Sequence, residues 1–471
     1  MPRDDNDSGS GIAASTYPFV ADPTDPRPIA REFVRQRYRA ATGRRTLVFQ
    51  AGVFSAWDGV CYRPVDREVL RGRLYAVLEL AQRPDGMPFK PNTRRVSDVL
   101  DALRGGTVLD ESLAPPRWLG GPLACLWSPA EVLCCANGLL HLPTLKLEPA
   151  TPDFYSFNAV DFPYNAEAPE PAAWRAFLQS LWPDDPEAIA LLQEWCGYML
   201  TADTSQEKIL LIIGPKRSGK GTIARVLTGL LGQANVAGPT LSSLSTNFGL
   251  QPLISKLAAI IADARLGSRT DQAVVAERLL SISGEDALTI DRKHLPAWTG
   301  RLGIRFILLT NELPRITDVS GALASRFMVL TLRQSFYGFE DHGLTGRLLQ
   351  ELPGILNWAI EGRQRLRNRG FFVTPKSSLD AVRQLEDLSS PIGAFLREDC
   401  DIGTRYTVST KRLFESWQSW CKASNKESVG TEQMFGKDLA AAVPGITITN
   451  PRHTAEGRQR FYLGVRLKTG F

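Results

Sequence analysis

The sequence predicts an α/β protein with a P-loop core, and three stretches predict it. The apolar run Ile209-Leu210-Leu211-Ile212-Ile213 reads as a buried parallel strand, enters a glycine-bounded loop, and is followed from Ile223 to Leu231 by helical periodicity. Leu257 to Ile261 is a second buried strand, closed by Asp263. Arg305 to Thr310 is a third, closed by Asn311. Buried strands that end in polar groups are what a parallel sheet with a site at its carboxyl edge requires.

The loop itself is Gly214-Pro215-Lys216-Arg217-Ser218-Gly219-Lys220-Gly221-Thr222. Gly214 and Gly219 let the backbone wrap an anion, the helix N-terminus points unpaired N–H groups at it, and Lys220 adds a full charge. The spacing from Gly214 to Lys220 fits the P-loop pattern, but Gly221 stands where a hydroxyl residue normally meets Mg²⁺, and Thr222 comes one place later. A chance Gly/Lys-rich turn is the alternative. The strand before and the helix after it favour a nucleotide-phosphate site.

Composition sets the outer bounds. The 471 residues suffice for about three domains of ~150 residues. Hydrophobic content of 43% and charged content of 22% describe an ordinary globular chain. A net charge of +5 is small for this length, so any basic surface must be local. The seven cysteines form no C-x-x-C pair, which argues against a zinc ribbon, and their odd number argues for a reducing compartment. The polar, acidic start from Met1 to Ser10 is unlike a signal peptide, and no apolar run approaches ~18 residues. The expectation is a cytoplasmic protein with no membrane partner.

In chain order, residues 1–28 read as a disordered tail rich in Asp, Ser, Gly and Pro. Residues 29–165 read as an α+β domain. Ala30, Phe33, Val34 and Tyr38 share a helical face, and two short strands flank Ala51-Gly52. Helical stretches follow from Glu68 and from Thr93, and a hairpin strand ends at Leu142. Its Trp57, Tyr62 and Trp127 suit a core or a base-stacking surface, with the core favoured. A Pro-rich linker from Ala166 to Pro171 leads into a helical collar, residues 166–205.

Asp263 falls where a carboxylate would hold Mg²⁺ through water beside the phosphate loop, so Thr222 and Asp263 are the candidate metal-holding residues. Ala264 follows in place of a water-polarising glutamate, which leaves Glu277 and Glu285 as candidates for that role. The stretch from Ala287 to Trp298 reads as a hairpin whose tip carries Arg292, Lys293 and His294. It is either a solvated turn or a grip on nucleic-acid phosphates. Asn311 is placed to orient water against a γ-phosphate. Arg326 is either a surface ion-pair partner or a finger that reaches a neighbouring subunit's nucleotide. Beyond Pro375 a Ser/Asp/Leu-rich linker is expected. Two helices marked by Leu413, Trp417, Trp420 and by Phe435, Leu439 then precede a basic hairpin. The last 26 residues hold Arg452, Arg458, Arg460, Arg466 and Lys468 against Glu456 alone. Helix, helix and basic hairpin suggest a winged helix over residues 376–471, with Arg458 and Arg460 as candidate DNA contacts or, alternatively, a fold used for protein contacts.

The phosphate loop, the 257–263 strand, Gly284-Glu285-Asp286 with the basic hairpin, Thr310-Asn311-Glu312-Leu313-Pro314 and Ser325-Arg326-Phe327 occur in that order. This ordered set resembles a superfamily 3 helicase of the phage/plasmid primase–helicase type, related to satellite-phage and poxvirus replicative helicases. Glu351 to Ala359 and Gly370-Phe371-Phe372 resemble that family's lid, and the likeness extends upstream over Phe54 to Tyr62, Ala136 to Leu140 and Leu192 to Leu200. The resemblance implies an AAA+-like ATPase domain over residues 206–375, working as a hexameric ring with ATP and Mg²⁺ between subunits. It implies Lys220 on the β/γ-phosphates, Asp263 on Mg²⁺, Asn311 as sensor, Arg326 as the finger in trans, and Lys293 with His294 lining a central channel. Single-stranded and forked DNA, and a separate primase, are the implied partners. The N-terminal domain has no D-x-D pair of the kind a primase uses.

Two rival readings remain open. Gly219-Lys220-Gly221-Thr222 also resembles a P-loop nucleotide kinase, which would leave the basic hairpin and the C-terminal domain unexplained. A DNA-binding module assembled by ATP without unwinding activity is the other, kept open by the missing glutamate after Asp263.

Overall fold

The computed structural model describes residues 19–264, 270–314, 316, 322–424, 430–443, 445–449, 452–454 and 457–468. The chain divides into two units, residues 1–164 with 294–296, and residues 165–293 with 297–471. Among the described residues no helix is long and apolar enough to cross a membrane.

In the first unit, side-chain caps fix the helix starts. Asp25 caps Pro26–Arg37, Asp66 caps Arg67–Glu79 and Asn92 caps Thr93–Thr107, each accepting from a first-turn amide. The three helices bury Phe33, Leu70, Leu74, Val96 and Leu100 in one core with Leu47 and Phe54 of an antiparallel sheet, Leu47–Gln50, Val53–Trp57 and Tyr62–Val65. Gln50 pairs with Val53 across a two-residue turn in which Ala51 (φ 49°) and Gly52 (φ 81°) are both left-handed, the tight hairpin geometry. A second sheet joins Val132–Cys135, Gly138–His141 and Lys146–Glu148. Tyr62 and Trp127 are buried, Trp57 half-buried.

Disorder to residue 28 is a mistaken expectation where the chain is described. Ala21 is fully buried and its amide donates to the Gln82 carbonyl at 2.7 Å, and Asp25 already caps a helix. Composition registered the polar residues between these anchors and missed the anchors. The expected tail's residues 1–18 lie outside the described residues.

The second unit is built on a five-stranded parallel sheet. Its order is Val236–Ala237, Ala258–Ile261, Arg305–Thr310, Ile209–Ile213, Phe327–Thr331. The three inner strands are buried almost throughout, which explains why they read as continuous apolar runs. Because every neighbouring pair is parallel, the residues that follow Ile213, Ile261 and Thr310 emerge at one edge, and those that precede Ile209, Arg305 and Phe327 emerge at the other.

The collar helices Ala172–Leu181 and Pro186–Tyr198 pack on the long helix Leu352–Arg369. A Cβ on Gly197 would fall 2.2 Å from the Ala359 carbonyl oxygen, and one on Gly362 would fall 2.4 Å from that of Gln193. The two backbones therefore cross at a distance that only glycine allows. The buried carboxylate of Glu194 accepts from Arg365 Nε at 2.7 Å and pairs with Arg369 as well. Glu351 caps the first collar helix from far along the chain, accepting from the amides of Ala173 and Trp174 at 2.9 Å. Residues 166–171 are also fastened to this helix, since Asn357 Nδ2 donates to the Asn165 carbonyl at 2.9 Å and Gly354 lies against Pro169. The Pro-rich linker expected there is a packed segment.

The stretch after Pro375 is likewise no linker. It forms the helix Leu379–Ser389, whose Leu385 is buried in the core under the parallel sheet with Leu323 and Phe327. The separate C-terminal core begins with Pro391–Asp399, and its Phe395, Trp417, Trp420 and Phe435 pack together. Around it lie the helices Thr410–Ala423 and Glu432–Ala442 and a sheet ordered Cys400–Ser409, Phe461–Leu467, Thr447–Ile448. The strand Cys400–Ser409 ahead of the two helices was not expected from the sequence. Arg452–Thr454 and Gly457–Gln459 form the short hairpin.

Candidate nucleotide-binding site

The loop between Ile213 and Lys220 is held from three sides. The Gly214 amide extends the sheet by donating to the Thr310 carbonyl at 3.2 Å. A Cβ on Gly214 would lie 2.7 Å from Leu332 Cβ and 2.9 Å from Ser218 Oγ, so the loop closes only with glycine there. Arg217 (φ 59°) and Gly219 (φ 92°) turn the chain through the left-handed region, and Phe177 and Leu181 of the collar lie 3.1 Å from where Gly219 would carry a Cβ. The helix Lys220–Leu231 then starts with no side-chain cap; the Thr222 and Ile223 amides donate to the Gly219 carbonyl at 3.0 Å, which leaves the amides of Lys220 and Gly221 to meet an anion.

Lys220 Nζ donates to the carbonyls of Gly214 at 2.6 Å and Pro215 at 2.7 Å, to Ser218 Oγ at 3.3 Å and to Asn311 Oδ1 at 3.1 Å. Partial burial lowers its pKa from the ordinary lysine value. Thr222 stands in the first turn of the helix. Asp263 is exposed just past Ala258–Ile261, and the next amide, that of Ala264, donates to the Leu309 carbonyl at 3.0 Å. Asp263, Asn311 and Lys220 thus share the carboxyl edge of the sheet. Pro215, Lys216, Arg217 and Gly221 are exposed around the loop, and Ser218 is buried.

One hydroxyl and one carboxylate, Thr222 and Asp263, suit Mg²⁺, which is commonly bound by one or two protein oxygens together with substrate phosphates. Among the described residues no group of three or more His, Cys, Asp or Glu could make an all-protein metal cage.

Other candidates lie elsewhere. Glu285 follows the end of the helix Gln272–Ser283 and accepts from Thr204 Oγ1 at 2.5 Å, on the amino edge of the sheet. Glu277 is exposed on that same helix. Ala264, in the position where a glutamate was sought, is buried in the core. Arg326 is also on the amino edge. It ends the helix Ala322–Arg326, precedes Phe327, which pairs with Ile209, and makes an ion pair with Glu207. Beside it Lys208 Nζ donates to the Ser325 carbonyl at 2.7 Å, and burial followed by the Arg326 charge lowers the Lys208 pKa. The surface ion pair considered for Arg326 is present. Five strand residues separate this edge from Gly214, roughly 15 Å, so Arg326 does not touch its own chain's loop.

The basic hairpin consists of Leu288–Arg292 and Leu295–Gly300, with Lys293 and His294 (φ 61°) as an exposed two-residue tip. Arg292 is half-buried. The Lys293 amide donates to Gln251 Oε1 at 3.0 Å. In the C-terminal domain Arg460 is exposed; Arg458 lies opposite His453 in the short hairpin, and its side chain is outside the described residues. Two of the terminal basic groups are occupied within the fold. Arg466 pairs with Asp401 at 2.9 Å over the Tyr406 ring, and Lys468 Nζ donates to the carbonyls of Arg397 and Glu398.

Sequence reading missed the segment after Phe327–Thr331. Ser335 Oγ donates to the Lys216 carbonyl at 2.8 Å, the Phe336 amide donates to the Arg217 carbonyl at 2.9 Å, and Glu340 pairs with Arg217 at 3.4 Å. The only hint in the sequence was the aromatic run Phe336-Tyr337-Gly338-Phe339.

Residues 212–326 match a family of unknown function (DUF5906), a span that runs from the strand before the loop to Arg326. An apo structure of the NrS-1 C terminal region is 12% identical over 94% of this chain and 99% of that one, with a TM-score of 0.50, a likeness of fold. The A form apo structure of the same region gives 0.48 at 12% identity, over 94% and 100%. Residues 126–183 match the D5 N terminal like family, and over that segment the chain is similar to the phage and plasmid primase–helicase type.

Proposed function

We propose that this protein is an ATP-driven DNA helicase that works as a ring, a hexamer by family resemblance, in the replication of a phage, plasmid or integrated element. The observation that carries this reading is the meeting of Lys220 with the loop carbonyls and with Asn311 at the carboxyl edge of the sheet. The loop amides and Lys220 bind the phosphates, and a γ-phosphate would take Nζ over from the loop carbonyls. Asn311, within hydrogen-bond reach of the same Nζ, then fixes both the lysine and an attacking water. Asp263 and Thr222 would hold Mg²⁺, which would supply positive charge against that developing on the phosphates.

Arg326 enters from outside. It sits on the amino edge, so it reaches a phosphate only when the amino edge of one copy faces the carboxyl edge of the next, and such head-to-tail contacts make a ring when the rotation between copies closes. Hydrolysis in such a ring would move the hairpins carrying Arg292, Lys293 and His294 along one strand of a fork. Arg458 and Arg460 would meet duplex through the winged-helix pattern of helix, strand, two helices and hairpin. A separate primase and the cytoplasm complete the proposal.

The test is ATP hydrolysis by the purified chain with and without single-stranded DNA, together with unwinding of a forked duplex. Stimulation by DNA and unwinding are expected. Transfer of phosphate to a nucleoside monophosphate without any need for DNA would establish the kinase reading instead. DNA binding that needs ATP but proceeds without unwinding would leave only the assembly module.

A further inference from the structure

Tyr337 and Phe339 are among the most exposed large side chains of the described residues, at 77% and 87%. Two solvated aromatic rings on one short turn are unusual, because each forgoes a large burial energy. The turn that carries them is well defined. The Phe339 amide donates to the Phe336 carbonyl at 2.9 Å, Gly338 (φ 84°) takes the left-handed corner, and its amide donates to Glu340 Oε2 at 3.0 Å. The turn also hangs from the phosphate loop. Ser335 and Phe336 bond to the carbonyls of Lys216 and Arg217, and Glu340 pairs with Arg217, which offsets a carboxylate that would otherwise repel phosphate. The turn is thereby bonded to two peptides of the loop that would cradle a triphosphate.

We infer that Tyr337 and Phe339 are the base-stacking residues of this site, so that it takes a purine nucleoside triphosphate and grips the base by its faces. The inference rests on the phosphate-site reading above. Stacking accepts any flat ring and favours the larger one. ATP and GTP therefore bind alike, CTP binds more weakly, and no edge-reading polar group is required. The same rings could instead stack bases of a DNA strand or pack on a second copy, but neither of those would involve the loop peptides from which the turn is suspended.

The experiment is calorimetric titration of the full chain with ATP, CTP and inorganic tripolyphosphate, for the wild type and for Tyr337→Ala, Phe339→Ala and Tyr337→Phe. Each alanine variant is expected to bind ATP about tenfold more weakly, with tripolyphosphate affinity unchanged and with Tyr337→Phe close to the wild type. Tripolyphosphate serves as the control for folding and for the phosphate loop. If the alanine variants bind both ligands as the wild type does, the inference fails while the phosphate site stands. Loss of DNA stimulation or of self-association in those variants would then assign the rings to DNA or to a second copy. If the wild type binds neither ligand, the phosphate-site reading itself has failed.

Discussion

Lys220 Nζ and Asn311 Oδ1 lie 3.1 Å apart, although 91 residues separate them. The bond ties the start of the loop helix to the end of a neighbouring strand, and it places a cation and a neutral amide side by side where phosphate oxygens would arrive.

Removing either partner should therefore give different defects. Lys220→Ala is expected to lose ATP binding and hydrolysis together. Asn311→Ala should bind ATP within a few-fold of the wild type and hydrolyse it about a hundredfold more slowly, the scale of losing one positioned polar group. Steady-state hydrolysis paired with equilibrium binding separates the two, and equal defects in both would refute the sensor role.

The burial of Lys220 has a pH consequence. Its pKa is lowered, so the ammonium gives up its proton at a lower pH than an exposed lysine, and only the charged form attracts phosphate. ATP affinity should decline with rising pH before the ordinary lysine range is reached. Lys220→Arg, which stays charged throughout, should show a flat profile over that range. A flat wild-type profile would count against the role given to this lysine.

Arg326 should act on the next copy's nucleotide. Arg326→Ala is expected to leave ATP binding within about twofold while hydrolysis falls about a thousandfold. Mixing it with Lys220→Ala should restore part of the activity, because some interfaces then join an intact loop to an intact arginine. No recovery on mixing would place Arg326 in a structural role with Glu207.

Alanine at both Lys293 and His294 should leave basal hydrolysis intact and remove stimulation by single-stranded DNA. The salt dependence of DNA binding should also become shallower by about one charge. Hydrolysis and fluorescence anisotropy across a salt series test this; unchanged stimulation would make the tip a solvated turn.

The collar provides a stability prediction. Glu194, 3% exposed, faces Arg365 and Arg369, which are 40% and 27% exposed. Removing both arginines strands a buried carboxylate and should cost about 3 kcal/mol. Glu194→Ala leaves two partly solvated cations and should cost less, about 1–2 kcal/mol. Urea denaturation of the two variants would show the asymmetry or disprove it.

The strands Ile209–Ile213, Ala258–Ile261 and Arg305–Thr310 were legible because strands buried on both faces must be apolar throughout, and the loop was legible because backbone closure demands glycine at fixed places. The helix Leu379–Ser389 was misread as linker because its polar composition was given more weight than the spacing of Ala381, Val382 and Leu385, which pack on one core from one face. The fold of residues 19–28 was missed for a similar reason, since a single buried alanine and one cap leave almost no pattern.

By itself the sequence determined the local chemistry: a phosphate-type loop, the acid and the amide that end its neighbouring strands, and a basic hairpin tip. Only the tertiary structure decided which groups share an edge. Parallel pairing put Lys220, Asp263 and Asn311 together and carried Arg326 and Glu285 to the far side, because strand order and direction come from contacts between residues distant in the chain. It also hung the turn of Tyr337 and Phe339 on the loop through backbone carbonyls, which every residue has and no motif records.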